Sequence, residues 1–303
     1  MSAHQLSSVV PYEPGLADQV ATLWRALHAD WRWLDDPQML AKVFAPSEVF
    51  ECIRYVVRRE GVAIATGFGT CRRDNTWARN RYLTIEARPE NIEAAWLNPL
   101  LAHFADADRG RPDTWQVVSL PDPLWSALPP LLEAAGFAYY SSTVCMEWMG
   151  DAVEAVEPSP ALFERYVGGD PGIDAEIVEL RNRSHRRFRL TPPIDREHLW
   201  IELPGLTANE YVLVWDEGKL VGYSQALVIE DKAYINSLAV SRSHWGTQVA
   251  AAVLSENMRI LIDRGYRKIE ASVISTNAPA KKLGLRLGWR VAAEQMRAYV
   301  RKI

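Results

Sequence analysis

The alternation of apolar and polar positions is most regular in the second half of the chain. Residues 234–240 form a short apolar run with the composition of a strand. After a polar turn, apolar positions at helical spacing continue to Asp263, and residues 268–274 predict another strand. Asn277 offers an N-cap for a further helix, which Gly288 would end. The pattern therefore predicts strand, helix, strand and helix, followed by two short strands at 290–294 and 296–302.

The turn between the first of these strands and the helix after it has features of an anion-binding site. The first N–H groups of a helix have no intrahelical partner and lie at the positive end of the helix dipole. Gly246, Thr247 and Ala250 are small enough to let a phosphate group approach such amides. The same residues also fit an ordinary strand–helix unit that contains a glycine by chance. The local pattern leaves both interpretations open.

Two turn signals recur at one spacing along the chain. Pro14-Gly15 and Pro171-Gly172 are 157 residues apart, and Glu60-Gly61 precedes Glu217-Gly218 by the same distance. Each half then predicts a helix-rich start, a hairpin, strand, helix, strand, helix and a final strand pair. A repeat of this length indicates a duplicated domain rather than a solenoid.

A longer pattern runs through the second half, carried by Leu238, Val240, Gly246, Ala250, Asn277, Leu287, Gly288 and Trp289. In order and spacing these residues resemble the GNAT superfamily of N-acyltransferases. Together with the repeat, the resemblance indicates a tandem GNAT chain, an arrangement similar to that of the mycothiol synthase family. It implies an α/β fold with two tandem GNAT-like domains, each a mixed, mainly antiparallel sheet flanked by helices.

The resemblance also implies a cofactor site. In the family, acetyl-CoA or another acyl-CoA lies between two splayed parallel strands, and its diphosphate rests on the loop and helix start. The family's oxyanion donor is a backbone N–H of the first of these strands, here near Leu238 and Ala239. No metal is implied. The expected cofactor-binding residues are Leu238, Ala239, Val240, Trp245, Gly246, Thr247, Gln248, Val249, Ala250, Asn277 and Lys282.

Three positions depart from the family pattern. Trp245 stands where the family has Arg or Gln, and Gln248 stands where it has glycine. Gly284 stands where the family often has a Tyr that protonates the departing thiolate. Since the helix-start amides do not depend on these side chains, the sequence still predicts CoA binding. The proton for the thiolate must come from another group.

The corresponding turn of the first half, residues 88–97, contains no glycine. Glu90 and Glu93 lie there, where a diphosphate would need positive potential, although acids at a helix start are also good partners for the dipole. A stretch rich in acids and proline at 150–160 suggests the boundary. We therefore expect a degenerate, structural GNAT-like domain at 1–150 and a domain carrying the acyl-CoA site at 151–303.

Amine acylation needs a neutral amine, donors for the tetrahedral oxyanion and a proton for the leaving group. Tyr234 and Asn236, at alternate positions of one strand, are candidate base or water-holding residues, and Tyr299 is the candidate acid. Each Tyr can otherwise be a packed residue at the edge of the core. His244 is interpreted as a loop residue that binds phosphate or backbone rather than as a base.

Arginines are dense after the predicted helix that follows Pro171-Gly172. Arg186 and Arg187 adjoin His185 at the end of this helix, which lines the acceptor site in the family. Because Arg pairs bidentately with carboxylate or phosphate, we expect these two residues to hold a negatively charged acceptor. The alternative is a cationic helix end that the dipole favours.

Composition adds little to this picture. A length of 303 residues and 48% hydrophobic residues suit two globular domains. The net charge of −4 gives no general case for nucleic acid, although residues 239–303 hold 12 Lys and Arg against four acids, which suits a polyphosphate. Three distant cysteines lack metal-ligand spacing, and neither a signal peptide nor an 18-residue apolar run is present. The sequence thus predicts a cytoplasmic protein without a membrane partner.

Three functions remain open. The first is an acyl-CoA-dependent N-acyltransferase, in the simplest case an acetyltransferase, that acts on a small and possibly anionic amine. The second keeps the fold but uses another donor, such as aminoacyl-tRNA or a carrier-bound acyl group, which the altered loop and the basic C-terminal segment would suit. The third is a non-catalytic binding protein, which the missing Tyr and the degenerate first half would suit.

Overall fold

The chain forms two compact units in a computed structural model. The structure describes residues 7–28, 50–72, 80–111, 114–121, 124, 126–154, 156, 162–186, 188, 191, 194–196, 199–200 and 205–303. The first unit combines Met1–Ser141 with Met296–Ile303, and the second is the continuous segment Ser142–Gln295.

Both units contain helices and strands. In chain order the strands are β1 (Ser8–Pro11), β2 (Phe50–Arg59), β3 (Val62–Arg72), β4 (Asn80–Ala87), β5 (Trp115–Pro121), β6 (Ala138–Met149), β7 (Leu162–Tyr166), β8 (Leu206–Asp216), β9 (Lys219–Ile229), β10 (Lys232–Val240), β11 (Lys268–Ile274) and β12 (Arg290–Lys302). The helices are α1 (Ala17–Leu27), α2 (Ala94–Ala107), α3 (Leu128–Ala134), α4 (Pro171–His185), α5 (Val249–Asp263) and α6 (Ala278–Arg286).

Each unit contains a mixed sheet. In the first unit the strand order is β1-β2-β3-β4-β5, followed by residues 296–302 of β12. In the second unit residues 143–149 of β6 are followed by β11-β10-β9-β8-β7. Only β4 with β5 and β10 with β11 pair in parallel among the described pairings within each unit. The expected α/β fold with mainly antiparallel sheets and flanking helices is confirmed.

The two predicted hairpin turns are confirmed and have the same conformation. Glu60 and Gly61 have φ of 53° and 81°, and Glu217 and Gly218 have φ of 48° and 73°. Each pair forms a two-residue loop between antiparallel strands. Positive φ at both loop residues is the backbone of a type I′ turn, which matches the twist of a hairpin. The repeat in the sequence is thus a repeat in local structure.

The C-terminal prediction is wrong in one respect. The two short strands expected at 290–294 and 296–302 form one continuous strand, β12. The two predicted strands are separated only by Gln295, and glutamine is not one of the residue types that favour a turn. Residues 296–302 of β12 pair with β5, whereas residues 143–149 of β6 pair with β11. The compact units therefore do not coincide with the predicted division at residue 150, because the first unit's sheet includes the last strand of the second half, and the second unit's sheet includes the last strand of the first half.

The two faces of the second unit's sheet pack on different helices. Tyr211, Leu213 and Tyr223 share a core cluster with Ile177 and Leu180 of α4. The alternate residues Val212 and Val214 pack with Val249 and Val253 of α5. Since successive strand residues point to opposite faces, α4 and α5 cover opposite sides of this sheet.

Candidate active site

The parallel strands β10 and β11 separate halfway along their length. They pair from Ala233 with Ile269 to Ile235 with Ala271, and no further pairing between them is present in this fully described region. The register of β10 against β9 shifts between Ile235 and Ser237, so that Asn236 is the extra residue of a β-bulge. Beyond the bulge the two strands leave a cleft.

Two backbone amides of β10 point into this cleft. The carbonyl oxygen of Val240 accepts hydrogen bonds from Trp245 Nε1 at 3.0 Å and from Ser184 Oγ at 3.3 Å, so it faces away from β9. The next amide, that of Ser241, donates to Val221 in β9. Because N–H and C=O groups of alternate residues point to the same edge of a strand, the amides of Leu238 and Val240 face the cleft. The sequence analysis placed the oxyanion donor near Leu238 and Ala239, but the Ala239 amide faces β9 rather than the cleft.

The loop after β10 presents unpaired amides at the start of α5. Gly246 has a φ of 81°, and nothing lies within 4 Å of where a Cβ would stand. The Val249 amide donates to Thr247 Oγ1 at 3.3 Å. Within the described chain, no hydrogen bond is present for the amides of Gly246, Gln248, Ala250 and Ala251. Four donors at the positive end of a helix dipole make an anion site.

His244 anchors this loop. Its Nε2 lies 3.0 Å from Asp216 Oδ2, and its Nδ1 lies 3.0 Å from Ser243 Oγ. In the neutral ring Nε2–H donates to the carboxylate, and Nδ1 accepts from the hydroxyl. Both ring nitrogens are therefore engaged in holding the loop against the end of β8. This agrees with the interpretation of His244 as a loop residue.

Two cavities open from the cleft in the second unit. The outer cavity has a volume of about 540 Å³ and is bounded by the loop, β10 and α6. The inner cavity has a volume of about 260 Å³ and reaches the point where β10 and β11 separate. The cavities adjoin each other, because they share the wall residues His185, Phe188, Leu238, Asn277, Ala280 and Leu283.

The outer cavity carries positive charge. Lys282 and Arg286 lie on its wall, one turn apart on α6, and both are exposed. No carboxylate is present among the described wall residues. Lys282 is where the sequence places it, whereas Arg286 was missed, although its spacing of four residues from Lys282 puts both on one helix face. The Asn277 side chain caps α6 by accepting from the Ala280 amide at 3.4 Å.

The inner cavity has Arg181, His185 and Asn236 on its wall. His185 Nδ1 lies 3.0 Å from the carbonyl oxygen of Arg181, one turn earlier in α4. A carbonyl only accepts, so Nδ1 carries the proton and the lone pair of the neutral ring lies on Nε2. Because His185 also lines the outer cavity, its ring stands at the junction of the two spaces.

Asn236 is held by a line of amides that crosses three strands. Its Nδ2 donates to Gln225 Oε1 at 2.8 Å, and Gln225 Nε2 donates to Asn209 Oδ1 at 2.8 Å. Gln225 is buried, so this line fixes the orientation of the Asn236 amide. Beside it, Tyr223 shares a 2.8 Å hydrogen bond with Ser237, and burial raises the pKa of Tyr223 to about 12.

The tyrosine candidates from the sequence do not line either cavity among the described residues. Tyr234 is half-buried on β10, and burial raises its pKa. Tyr299 belongs to the hydrophobic core of the first unit, where it is 4% exposed and its ring lies 5.7 Å from that of Tyr139. The pairing of residues 296–302 with β5 places it there, so the sequence expectation of an acid reaching the thiolate is not met.

Other predicted residues lie near the site without lining it. The Arg186 side chain is exposed at the C-terminal end of α4 and is absent from both cavity walls, and Arg187 lies outside the described residues. Arg181, which lies one turn earlier on α4, lines the inner cavity. Val249 is buried in the core, and the side chain of Gln248 is exposed.

Gly284 lines the inner cavity, but the space beside it is filled. A Cβ built there would lie 2.7 Å from Met146 Cε. Met146 of β6 thus occupies the space that a side chain on α6 would need. A residue from a distant part of the chain thus fills the space that a Tyr at position 284 would need.

Among the described residues of the first unit, the corresponding helix start has no glycine-containing anion site. Its strands β4 and β5 also pair only from Asn80–Trp115 to Leu83–Val118. The following helix, α2, begins after Glu93, whose carboxylate accepts from Arg59 Nη2 at 2.6 Å. A carboxylate at this position repels a diphosphate.

Known proteins resemble this chain in sequence and in fold. Residues 175–289 match the model of the Acetyltransferase (GNAT) family. A GCN5-related N-acetyltransferase from Sphaerobacter thermophilus has a similar structure, with a TM-score of 0.67, 18% identity and coverage of 99% of this chain and 97% of that one. A tandem GNAT protein from the clavulanic acid biosynthesis pathway has a TM-score of 0.68, 15% identity and 98% coverage of both chains.

A GCN5-related N-acetyltransferase from Anabaena variabilis is similar over 97% of this chain and 72% of that one, with a TM-score of 0.62 and 15% identity. No curated protein sequence matches the chain. Among the described residues, no helix is long and apolar enough to span a membrane, and no cluster of three His, Cys, Asp or Glu side chains suits a metal ion.

Proposed function

We propose that this chain, a tandem GNAT-superfamily protein whose second half contains the acetyltransferase family domain, transfers an acyl group from acyl-CoA to a small amine that bears a carboxylate. The observation that carries the proposal is the set of four unpaired amides at the start of α5. They lie beside two exposed cations, at the mouth of a cleft that leads to the inner cavity. These features suit a ligand with a diphosphate at one end and a thioester at the other.

The residues of the outer cavity fit CoA. The amides of Gly246, Gln248, Ala250 and Ala251 would hold the diphosphate without charged side chains. Lys282 and Arg286 would neutralise the remaining phosphate charge. Because backbone amides and two α6 cations would hold the phosphates, CoA could bind although Trp245 and Gln248 depart from the family pattern. Trp245 instead braces the loop through its hydrogen bond to the carbonyl of Val240.

The thioester would lie beside Leu238, which lines both cavities. The Leu238 amide faces the cleft and would donate to the oxyanion that forms when the amine attacks the carbonyl carbon. A C–N bond forms and the C–S bond breaks. One proton leaves the amine nitrogen and one reaches the sulfur of the departing CoA thiolate.

His185 is suited to both proton transfers. Its Nε2 holds the lone pair of the neutral ring and can take the proton from the attacking amine. Its position at the junction of the cavities brings the resulting imidazolium near the place of the sulfur. No phenol is required at position 284, where Met146 fills the space. Asn236, held by Gln225, would accept a hydrogen bond from the amine.

The inner cavity sets the charge of the acceptor. Its described wall contains the guanidinium of Arg181 and no carboxylate. Such a wall favours an amine that carries a carboxylate, which Arg binds in a bidentate manner, and disfavours polyamines. Amino acids and related small zwitterions are therefore the acceptor class that we propose.

Calorimetric titration with CoA tests the donor site. In Ala250→Glu a carboxylate would stand among the helix-start amides, where it also pairs well with the dipole, so folding should be retained. We expect CoA affinity to fall at least about tenfold, since like charges at this range repel by more than 1 kcal/mol. The matched control is Ala95→Glu, the second residue of α2, which should bind CoA as the unmodified protein does. Equal affinity in both folded variants would contradict the site, and a folded protein that binds no CoA would contradict the function.

A further inference from the structure

The inner cavity has two chemically different ends. Arg181 and His185 of α4 approach it from one side of the sheet and provide its polar end. The other end lies toward α5 and is apolar. Its side chains belong to one hydrophobic core cluster, and they are Met146, Ile235, Leu254 and Trp289. The proposed acceptor site uses only the polar end.

A small residue keeps the apolar end open. Ala271 of β11 lies on its wall, where a larger side chain would fill it. Its boundary at Gly284 is the methyl end of Met146, which lies 2.7 Å from the position of a Cβ there. A Met side chain is flexible and adapts to the shape of a neighbouring ligand. The apolar end is thus closed by a flexible side chain, that of Met146, which can move aside for a ligand.

An acetyl group would leave this end unfilled. Its methyl extends one carbon beyond a thioester carbonyl placed at Leu238, whereas the inner cavity, with its polar and apolar ends together, has a volume of about 260 Å³. A water molecule takes up roughly 30 Å³ in the liquid, and apolar walls give it few hydrogen bonds. Atoms that line unfilled space also lose their dispersion contacts. The acceptor's carboxylate is directed to Arg181, so the acyl tail is the group with access to the apolar end.

We infer that the preferred donor is an acyl-CoA with a short unbranched acyl chain, about four to six carbons long, rather than acetyl-CoA. This inference rests on the proposed function. Its bond changes are the same: the amine nitrogen forms a bond to the carbonyl carbon, the C–S bond breaks, and the amine proton is balanced by the proton on sulfur. Chain length alters only what fills the apolar end.

Binding without an acceptor provides the test. Dissociation constants for CoA, acetyl-CoA, butyryl-CoA and hexanoyl-CoA can be measured by calorimetry. Burial of each methylene should tighten binding roughly three- to fourfold. We therefore expect butyryl-CoA to bind about tenfold more tightly than acetyl-CoA.

Two variants change the cavity in opposite directions. Ala271→Leu should remove the advantage of butyryl-CoA over acetyl-CoA, because the added side chain occupies the apolar end. Met146→Ala should move the preference toward hexanoyl-CoA, because it enlarges the same end. The matched control is Ala293→Leu, at an exposed position of β12, which should leave the whole series unchanged. Affinity for CoA without an acyl group should be equal in all four proteins, and thermal unfolding checks that each is folded.

The outcomes separate this inference from the proposed function. If the protein binds CoA but affinity stays level or falls from acetyl-CoA to hexanoyl-CoA, the apolar end does not hold the acyl chain and the inference is overturned, while the function stands. If neither CoA nor any acyl-CoA binds, both are overturned. An advantage of butyryl-CoA that survives Ala271→Leu would also contradict the assignment, because it would arise outside the cavity. If either Ala271→Leu or Met146→Ala prevents folding, the other variant still tests the inference.

Discussion

His185 is the side chain on which the proposed proton transfers depend, because its ring stands where the two cavities meet. We expect His185→Gln to lower kcat roughly 100-fold near neutral pH, a typical loss for one general base. The KM for acyl-CoA should change little.

The control for this prediction is His244→Gln, in which the loop anchor is lost. That variant should raise the KM for acyl-CoA and leave kcat nearly unchanged. If His185→Gln keeps full kcat, another group is the base.

Arg181 should determine which amines are accepted. We expect Arg181→Gln to raise the KM for a carboxylate-bearing amine about tenfold or more, because charge-assisted hydrogen bonds to the carboxylate are lost. The corresponding amide, which lacks the negative charge, should be affected much less. Arg186→Gln, at the exposed end of the same helix, is the matched control and should change neither constant. An equal loss for the acid and its amide would show that Arg181 only supports the fold.

At the scale of elements, the orientation of α4 matters because this helix carries Arg181 and His185. Its N-cap is Asp170, whose side chain accepts from the amides of Gly172 at 2.7 Å and Ile173 at 3.3 Å. We expect Asp170→Ala to lower the free energy of unfolding by about 1 kcal/mol, and Asp170→Asn to lose much less. Urea unfolding measures both. Equal losses in the two variants would mean that the cap does not contribute through these hydrogen bonds.

The same helix is tied to β7 through Tyr166. Its hydroxyl donates to Asp174 Oδ1 at 2.8 Å, and burial, together with this hydrogen bond, raises its pKa from 10.0 to about 12. A raised pKa means that the folded state favours the protonated phenol. The resulting stability is complete below pH 10 and is lost as the pH rises through about 12.

We therefore expect the stability difference between the unmodified protein and Tyr166→Phe to shrink from pH 10 to pH 12, as measured by urea unfolding at a series of pH values. The comparison isolates Tyr166, because Tyr223 titrates in the same range in both proteins. A difference that does not vary with pH would contradict the assignment.

At the scale of the whole molecule, the limits of the second unit differ from those of its half of the sequence. Met146 and Trp148 of β6 belong to its core, and Met146 lines its inner cavity. We expect residues 142–295, expressed alone, to fold and to bind CoA. Residues 151–303, the half predicted from the repeat, should fail to do so, because they lack the strand that pairs with β11. Circular dichroism and calorimetry check both fragments, and CoA binding by 151–303 would contradict this division.

Whether a feature could be predicted from the sequence depends on how far apart in the chain the interacting residues lie. The hairpins at Glu60-Gly61 and Glu217-Gly218 follow from turn chemistry within four residues, and they were predicted. The backbone sites of β10 and of the loop followed from the family resemblance. Arg181 was missed because its exposure to the cavity depends on the rotation of α4, which the arginine-rich sequence does not reveal.

Tyr299 was misplaced for a longer-range reason. Its partner strand, β5, lies more than 170 residues earlier in the chain, and local periodicity carries no information about such a pairing. The compensation of Gly284 by Met146 was missed for the same reason.

The pairing of residues 296–302 with β5 has a consequence for the order in which the protein matures. A ribosome delivers the continuous second unit, 142–295, in full before it delivers the final residues of the first. Until the last codons are translated, one side of β5 is an open edge, which is the part of a nascent sheet most prone to join the wrong strand. A premature stop near residue 295 would thus spare the cavities and impair the half of the protein that was made first.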